Sequence, residues 1–290
     1  MDQVLKDAAR KLVALAYKED LSDGRDVTSE SLIPETSTGS ARIVARETGT
    51  VCGLGILPIV IEAFSAKIDI ADSISDGDPV TPGSVAVELT GRTIDLLKAE
   101  RTILNFLGRL SGVATLTSQF VEQVSGTRAG IFDTRKTTPG WRALEKHAVQ
   151  SGGGRNHRMG LYDAVLIKDN HLAAISGAGH SWVQQVATAF ELVRSRHQEM
   201  VIQIEVDTLE QLDQVLPLRP DIVLLDNMTL DELSRAVELR GQRPIELEAS
   251  GGVNLETVGA IAQTGVDRIS IGALTHSAVN FDWGLDWNHS

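Results

Sequence analysis

In the second half of the chain, one short apolar run after another ends in residues that can hold charge or move protons. The runs Gly130–Asp133, Ala164–Ile167, Val201–Val206, Ile222–Leu225, Ile245–Ala249 and Arg268–Ile271 read as strands. They end, in order, in Thr134-Arg135-Lys136, Lys168-Asp169-Asn170, Glu205 and Asp207, Asp226-Asn227, Ser250-Gly251-Gly252, and Gly272. Polar residues end many strands, but six such endings in succession are poorly explained that way. In a β/α barrel, loops from every strand converge at the C-terminal strand ends, and catalytic groups gather there.

The charges point to an anionic ligand. Between Arg135 and Lys168 lie seven Lys/Arg (135, 136, 142, 146, 155, 158, 168) against two acids, Glu145 and Asp163, inside a chain of net charge −12. A local cationic patch in an acidic protein focuses field on small, multiply charged anions, and arginine grips carboxylate or phosphate with paired hydrogen bonds. A solvated helix face accounts for Arg142 and Lys146, but not for Arg135 and Lys136, which leave a strand directly. In Ser151-Gly152-Gly153-Gly154-Arg155-Asn156-His157-Arg158, the glycines allow close backbone approach or positive φ, and His157 and Arg158 supply donors. Ser250-Gly251-Gly252 and Ile271-Gly272-Ala273 are turns whose N–H groups can hold a sugar phosphate. Glu205 and Asp226, between the two anion sites, suit ribose hydroxyls or a Mg²⁺ shared with pyrophosphate. A zinc site is not expected, because His157, His171 and His276 lack ligand spacing and Cys52 is the only cysteine.

The elements that must position these groups fall into two rhythms. Up to about Gly91 the chain reads as short strands and turns, with Ala41–Ala45 and Val85–Leu89 as strands. An amphipathic helix precedes them, its apolar face predicted from Val4, Leu5, Ala8, Leu12 and Leu15. A helix is predicted from about Ile94 to Leu110, with Lys98, Arg101 and Asn105 as its polar row. After Gly130, strand and helix patterns alternate, the mark of βα units and a parallel sheet. Helix starts are read at Asp207-Thr208-Leu209-Glu210, at Thr229 with Glu232 three residues on, and at Asn254.

Composition excludes other classes. The 290 residues are 42% hydrophobic and 4% aromatic, which implies an aliphatic core. A surface this acidic disfavours nucleic acid and anionic lipid. Charges interrupt every long apolar run, so neither a signal peptide nor a membrane span is expected. One cysteine permits no intrachain disulfide and suits a cytoplasmic setting. Cys52 itself is expected to be a small buried hydrophobe.

Ordered motifs across nearly the whole chain make it similar to the quinolinate phosphoribosyltransferases. They are Ala99-Glu100-Arg101-Thr102, Asp133 to Gly140 (DTRKTTPG), Gly152-Gly153-Gly154 with Asn156-His157-Arg158, and Leu166 to His171 (LIKDNH). Glu205-Val206-Asp207, Leu225-Asp226-Asn227, Ala249 to Gly252 and Gly272 to Ser277 continue the match. The resemblance implies an N-terminal α/β sandwich domain (1–112, joined by the tail 276–290). It also implies an incomplete, open β/α barrel of six or seven parallel strands (113–275). It implies transfer of phosphoribosyl from phosphoribosyl pyrophosphate to quinolinate with decarboxylation, giving nicotinate mononucleotide, pyrophosphate and CO₂, with Mg²⁺. It implies a homodimer or a hexamer, with Arg101 donated across the interface. By position, Arg135, His157, Arg158 and Arg101 would hold the quinolinate carboxylates beside Thr134. Lys136 and Lys168 would lie between substrate and pyrophosphate. Glu205 and Asp226 would take ribose hydroxyls and Mg²⁺. The 5′-phosphate would fall to Ser250, Gly251, Gly252, Ile271, Gly272 and Ala273, with His276 nearby. Trp141, His147 and the tryptophans of the tail depart from the family pattern. Three other readings stay open: a relative acting on nicotinate or another anionic ring, a Schiff-base aldolase using Lys168, and a metabolite-binding protein without turnover.

Overall fold

The computed structural model describes residues 1–22, 24–175 and 181–288. Helix α1 (Gln3–Leu21) starts at Asp2, whose carboxylate accepts the Leu5 N–H at 2.8 Å. α2 (Val27–Leu32) starts at Asp26, which accepts the N–H groups of Thr28 and Ser29. Then come β1 (Thr38–Ala45), β2 (Gly49–Thr50), α3 (Leu57–Ala63), β3 (Ile68–Ser73), β4 (Pro79–Val80), β5 (Val85–Arg92) and α4 (Thr93–Gln123). The second half runs β6 (Gly130–Phe132), α5 (Arg142–Ser151), β7 (Val165–Ile167), α6 (Asp169–Ile175), α7 (Trp182–Arg196), β8 (Ile202–Val206) and α8 (Leu209–Val215). It ends β9 (Ile222–Asp226), α9 (Leu230–Arg240), β10 (Glu246–Ser250), α10 (Val258–Gln263), β11 (Arg268–Ser270), α11 (Ala273–His276) and β12 (Trp283–Trp287).

Two units are built from these elements. The first comprises Met1–Ser118, Lys136–Gly154 and Leu274–Ser290. Its sheet runs β12-β1-β5-β3, and both neighbours of β1 are antiparallel to it. The tail thus supplies an edge strand, anchored by Trp283, whose indole N–H donates to Ser111 Oγ at 3.2 Å. α1 packs on α3 and α5. Its buried stripe is Leu5, Ala9 and Val13, while Val4 and Leu15 are 73% and 64% exposed. The face is therefore rotated from the one predicted: a four-residue spacing chose between two overlapping apolar stripes. α4 runs 13 residues past its predicted end at Leu110. Gly112, which looks like a stop, instead lets the helix lie against the chain near Val279, where a Cβ would meet the Val279 carbonyl oxygen at 2.0 Å.

The second unit comprises Gln119–Arg135 and Arg155–Ala273. Its six strands are ordered β6-β11-β10-β9-β8-β7 and all pairs are parallel. β6 and β7 are the two edges, so the sheet is open, as expected. Its faces differ sharply. One face holds Ile131, Ile202, Ile204, Val206, Val223, Leu225, Leu247, Ala249 and Ile269, all buried. The register puts Glu205, Leu224, Glu248 and Arg268 in one row of the other face, and Asp226, Ser250, Ser270 and Phe132 in the next. An alternating strand ordinarily turns its polar side to water. Here Glu248 and Gln203 on that side are almost fully buried, so the polar face is an interior one.

The helix starts follow the sequence with one adjustment. Thr208 with Gln211 and Thr229 with Glu232 form reciprocal capping boxes. Asn254 accepts the N–H groups of Glu256 and Thr257, both at 3.0 Å, but it caps a turn, and α10 begins four residues later at Val258.

Candidate active site

The second unit gathers the strand-end residues in the order the sheet dictates. Because Ile167 pairs with Ile204, Lys168 stands level with Glu205, and its ammonium donates to the Glu205 carboxylate. His171 Nδ1 accepts the Lys168 N–H at 3.0 Å, which fixes the turn between β7 and α6. Lys168 is therefore engaged by an acid rather than isolated in an apolar pocket, the setting a Schiff-base lysine needs. Asp226 ends β9 level with Ser250, and Asn227 Nδ2 donates to its carboxylate at 2.8 Å. Gly251 follows with φ +98°, and a Cβ there would sit 2.0 Å from Asn227 Oδ1. Only glycine fits both the left-handed backbone and the close approach. Gly252, φ +60°, continues the turn, and Ile271 N–H donates to the Phe132 carbonyl at 2.9 Å, extending the β11 ladder up to Gly272 and Ala273.

The cationic loop is held along the β6 edge. Arg155 N–H donates to Ile131 O at 2.8 Å, and Asp133 N–H donates to Arg155 O at 3.1 Å. The buried Asp133 carboxylate then accepts the His157 N–H at 2.8 Å. His157 Nδ1 accepts the Arg158 N–H at 2.7 Å, which assigns the ring proton to Nε2. Nε2 lies 3.5 Å from Oε1 of the fully buried Glu248. Arg268 holds the other oxygen of Glu248 through Nε at 2.8 Å and stacks 3.8 Å from the Phe132 ring centre. Burial alone would raise the Glu248 carboxyl, but His157, Arg268 and Ser270 outweigh it and keep its pKa below the usual range.

Arg158 is the contrasting case. Its Nη1 donates to the Ala164 carbonyl at 3.0 Å. Burial, then the charge of Arg135, pull its pKa below the ordinary arginine value, and Asp163 opposes them. Arg135 thus disfavours the charge of Arg158, and a bound anion would relieve it. His157 and Arg158 also line a cavity of about 480 Å³ whose other walls include Gln203, Ile222, Glu246 and Arg268. The loop therefore meets the polar face at the first residues of β9, β10 and β11.

The other site candidates belong to the first unit. The buried Glu145 carboxylate accepts Arg109 Nη2 at 2.6 Å, Thr138 Oγ1 at 2.8 Å and Thr138 N–H at 3.0 Å. Arg109 also donates to the carbonyls of Thr275 and Ala278, and Thr275 Oγ1 donates to the Lys136 carbonyl at 2.8 Å. One ion pair so fixes the segment that carries Lys136. Lys136 itself is exposed, as are Arg101 on α4 and His276, whose Nδ1 lies 2.7 Å from Ser277 Oγ. Thr134 is half-buried just beyond β6. Lys146, expected on a solvated face, is completely buried on α5. Gly152 and Gly154 serve packing: a Cβ would meet Ala114 O at 2.3 Å or Thr117 at 2.7 Å on α4. Cys52 is buried, and burial with the Asp76 charge pushes its thiol well up, so it offers no nucleophile to this chemistry.

Reading the sequence missed Glu248, Asp133, Glu145 and Arg109 as supports. A period-2 polar residue inside an apolar strand was the one available signal for Glu248.

Comparison with known proteins agrees with this architecture. Residues 26–111 match the N-terminal domain of quinolinate phosphoribosyl transferase, and residues 113–286 match its C-terminal domain. The nicotinate-nucleotide pyrophosphorylase [carboxylating] of Mycobacterium leprae is 41% identical over 97% of both chains. The solved nicotinate-nucleotide pyrophosphorylase of Francisella tularensis superposes with TM-score 0.89 at 35% identity, covering 98% of this chain and 97% of that one. That of Ehrlichia chaffeensis gives 0.87 at 40% identity, covering 96% and 98%.

Proposed function

Because this chain belongs to the quinolinate phosphoribosyltransferase family, we propose a division of labour among its residues for the family's reaction. The chain is a carboxylating nicotinate-nucleotide pyrophosphorylase: it transfers phosphoribosyl from phosphoribosyl pyrophosphate to quinolinate and releases pyrophosphate and CO₂, a step of de novo NAD biosynthesis. The observation that carries the site assignment is the loop held along β6 by Asp133 and Arg155, which sets Arg158 where the charge of Arg135 acts against its own, a strain that a dianionic ring would relieve.

Arg135, Arg158, His157 and Thr134 hold the two carboxylates of quinolinate and point its ring nitrogen at C1 of the ribose. Asp133 and Glu248 fix the place and the tautomer of His157 beside the two arginines. As the bond from C1 to the pyrophosphate oxygen breaks, positive charge builds on the ribose and negative charge on the leaving group. Lys136 and Lys168 neutralise the departing anion, with Lys168 held at its strand end by Glu205. Alignment of two bound substrates makes a covalent enzyme intermediate unnecessary. The new pyridinium nitrogen then stabilises the carbanion left at the adjacent carbon as its carboxylate departs as CO₂, and a proton takes its place. The turns at Ser250–Gly252 and Ile271–Ala273, with His276, grip the 5′-phosphate.

Glu205 and Asp226 fit a Mg²⁺ ion: both are hard oxygen donors near the C-terminal ends of the adjacent strands β8 and β9. Bound there, Mg²⁺ would share the charge of the pyrophosphate. A homodimer with Arg101 completing the partner's site is supported by the exposure of Arg101 on α4. Cytoplasmic placement is supported by the single cysteine and by the absence, among the described residues, of any helix long and apolar enough to cross a membrane.

The test is product detection by mass from quinolinate, phosphoribosyl pyrophosphate and Mg²⁺. Mononucleotide should form only with both substrates present. Equal turnover of nicotinate, or a borohydride-trapped imine on Lys168, would count against this reading.

A further inference from the structure

The first unit carries a second cluster of reactive side chains that phosphoribosyl transfer does not use. Cys52 follows β2, Asp76 lies between β3 and β4, and His147 is on α5. One sulfur, one carboxylate oxygen and one imidazole nitrogen from these residues all lie within 4.8 Å of one another. His147 Nε2 is 3.0 Å from Asp76 Oδ2, and Cys52 Sγ is 3.9 Å from that same oxygen. The other oxygen, Oδ1, accepts the N–H groups of Gly53 and Leu54 at 2.9 and 3.0 Å. The carboxylate is thus fixed by backbone on one side and turned toward thiol and imidazole on the other. Ser151 Oγ, 3.4 Å from the sulfur, is itself held by the His147 carbonyl at 3.1 Å. Beside the cluster opens a cavity of about 400 Å³, with Asp76 and His147 in its wall.

We propose that Cys52, Asp76 and His147 form a site for a zinc-class divalent cation, with a fourth coordination position facing the cavity. The donor set decides the class. Sulfur with nitrogen and one carboxylate oxygen suits zinc or cobalt, whereas Mg²⁺ takes oxygen donors. The spacing is close to what such an ion requires. Tetrahedral bonds of about 2.3 Å to sulfur and about 2.0–2.1 Å to nitrogen and oxygen place N and O about 3.3 Å apart, and S and O about 3.6 Å apart. The observed 3.0 and 3.9 Å need adjustments of only a few tenths of an ångström. The backbone bonds to Oδ1 supply the outer support that orients a metal-binding carboxylate. An ion there would tie α5 to the β3–β4 turn and the end of β2. Sequence spacing could not show this site, because His147 and Cys52 stand 71 and 24 residues from Asp76.

Cobalt(II) titration of the purified, chelator-treated full chain tests the proposal. Cys52 is the only cysteine, so any thiolate-to-cobalt charge-transfer band in the near ultraviolet reports this site alone. The expected result is one Co²⁺ per chain with a saturable band. The band should be lost in Cys52→Ser and weakened at least tenfold in affinity in His147→Asn and Asp76→Asn. Circular dichroism checks that each variant is folded. Zinc should compete the band away and raise Tm, while Glu205→Gln should leave the band in place. No band at tenfold cobalt excess over native protein would overturn the proposal. So would a band whose affinity is unchanged in both His147→Asn and Asp76→Asn.

Discussion

Arg109 and Arg158 are both partly buried guanidiniums, and the chain treats them in opposite ways. Arg109, 19% exposed, finds a fully buried carboxylate in Glu145 and two backbone carbonyls. Its charge is spent on holding α4, α5 and the Lys136 segment together. Arg158 donates its side chain to one carbonyl, and burial with the charge of Arg135 acts against its own charge more than Asp163 supports it. The first arrangement carries its own counter-charge; in the proposed site, the second is the one that a bound anion would favour. Both lie in the most basic stretch of the chain or bond directly to it, so local charge count alone does not separate structural from binding arginines. What separates them is whether the fold supplies the counter-charge.

The largest way to test this contrast is to remove the structural arginine. Arg109→Ala strands the Glu145 carboxylate in the interior, and urea unfolding should show a loss of about 3–5 kcal/mol. A loss below ~1 kcal/mol would erase the distinction between the two arginines. Glu248 sharpens it from inside the site, since there the fold does supply a carboxylate, to His157 and Arg268. Its folded pKa is depressed, so its contribution is present above the unfolded carboxylate value of about 4.3 and lost as pH falls through the folded value. Glu248→Gln should therefore be less stable than wild type at neutral pH, with the gap closing as pH drops below about 4. Urea midpoints across a pH series measure it, and a gap that stays constant would refute the linkage. Gly251→Ala tests the turn proposed to hold the phosphate. The strained φ of +98° and the collision with Asn227 should raise KM for phosphoribosyl pyrophosphate by about tenfold, with a cost of roughly 1–2 kcal/mol in stability. The smallest effect belongs to neither region. Thr229→Ala removes a helix cap and should cost about 1 kcal/mol in thermal unfolding while kcat/KM is unchanged.

The strands of the second unit were legible because each is a short apolar run between polar punctuation, and the capping boxes were legible because they are local. The interior polar face was not. Gln203 and Glu248 look like ordinary outward residues until the structure shows them buried on one face of the sheet, in β8 and β10. β3, with its alternating acids, gave no strand signal and is held by pairing to β5. The end of α4 and the face of α1 were set by partners distant in sequence, near Val279 for one and in α3 and α5 for the other. Arg135, Lys168 and Asp226 were singled out because they stand at or near strand ends, and Arg158 because it follows a glycine run. Asp133, Glu145 and Arg109 escaped notice because their role lies in whom they hold, which spacing does not encode.

The account turns on Arg135 and Arg158 as a receptor for two carboxylates. Calorimetric competition between quinolinate and nicotinate, on wild type and Arg158→Ala, addresses that directly. Wild type should prefer quinolinate by about a hundredfold, the worth of one charge-assisted contact pair, and the variant should lose most of that preference while its urea midpoint barely moves. An unchanged preference in Arg158→Ala would contradict the account.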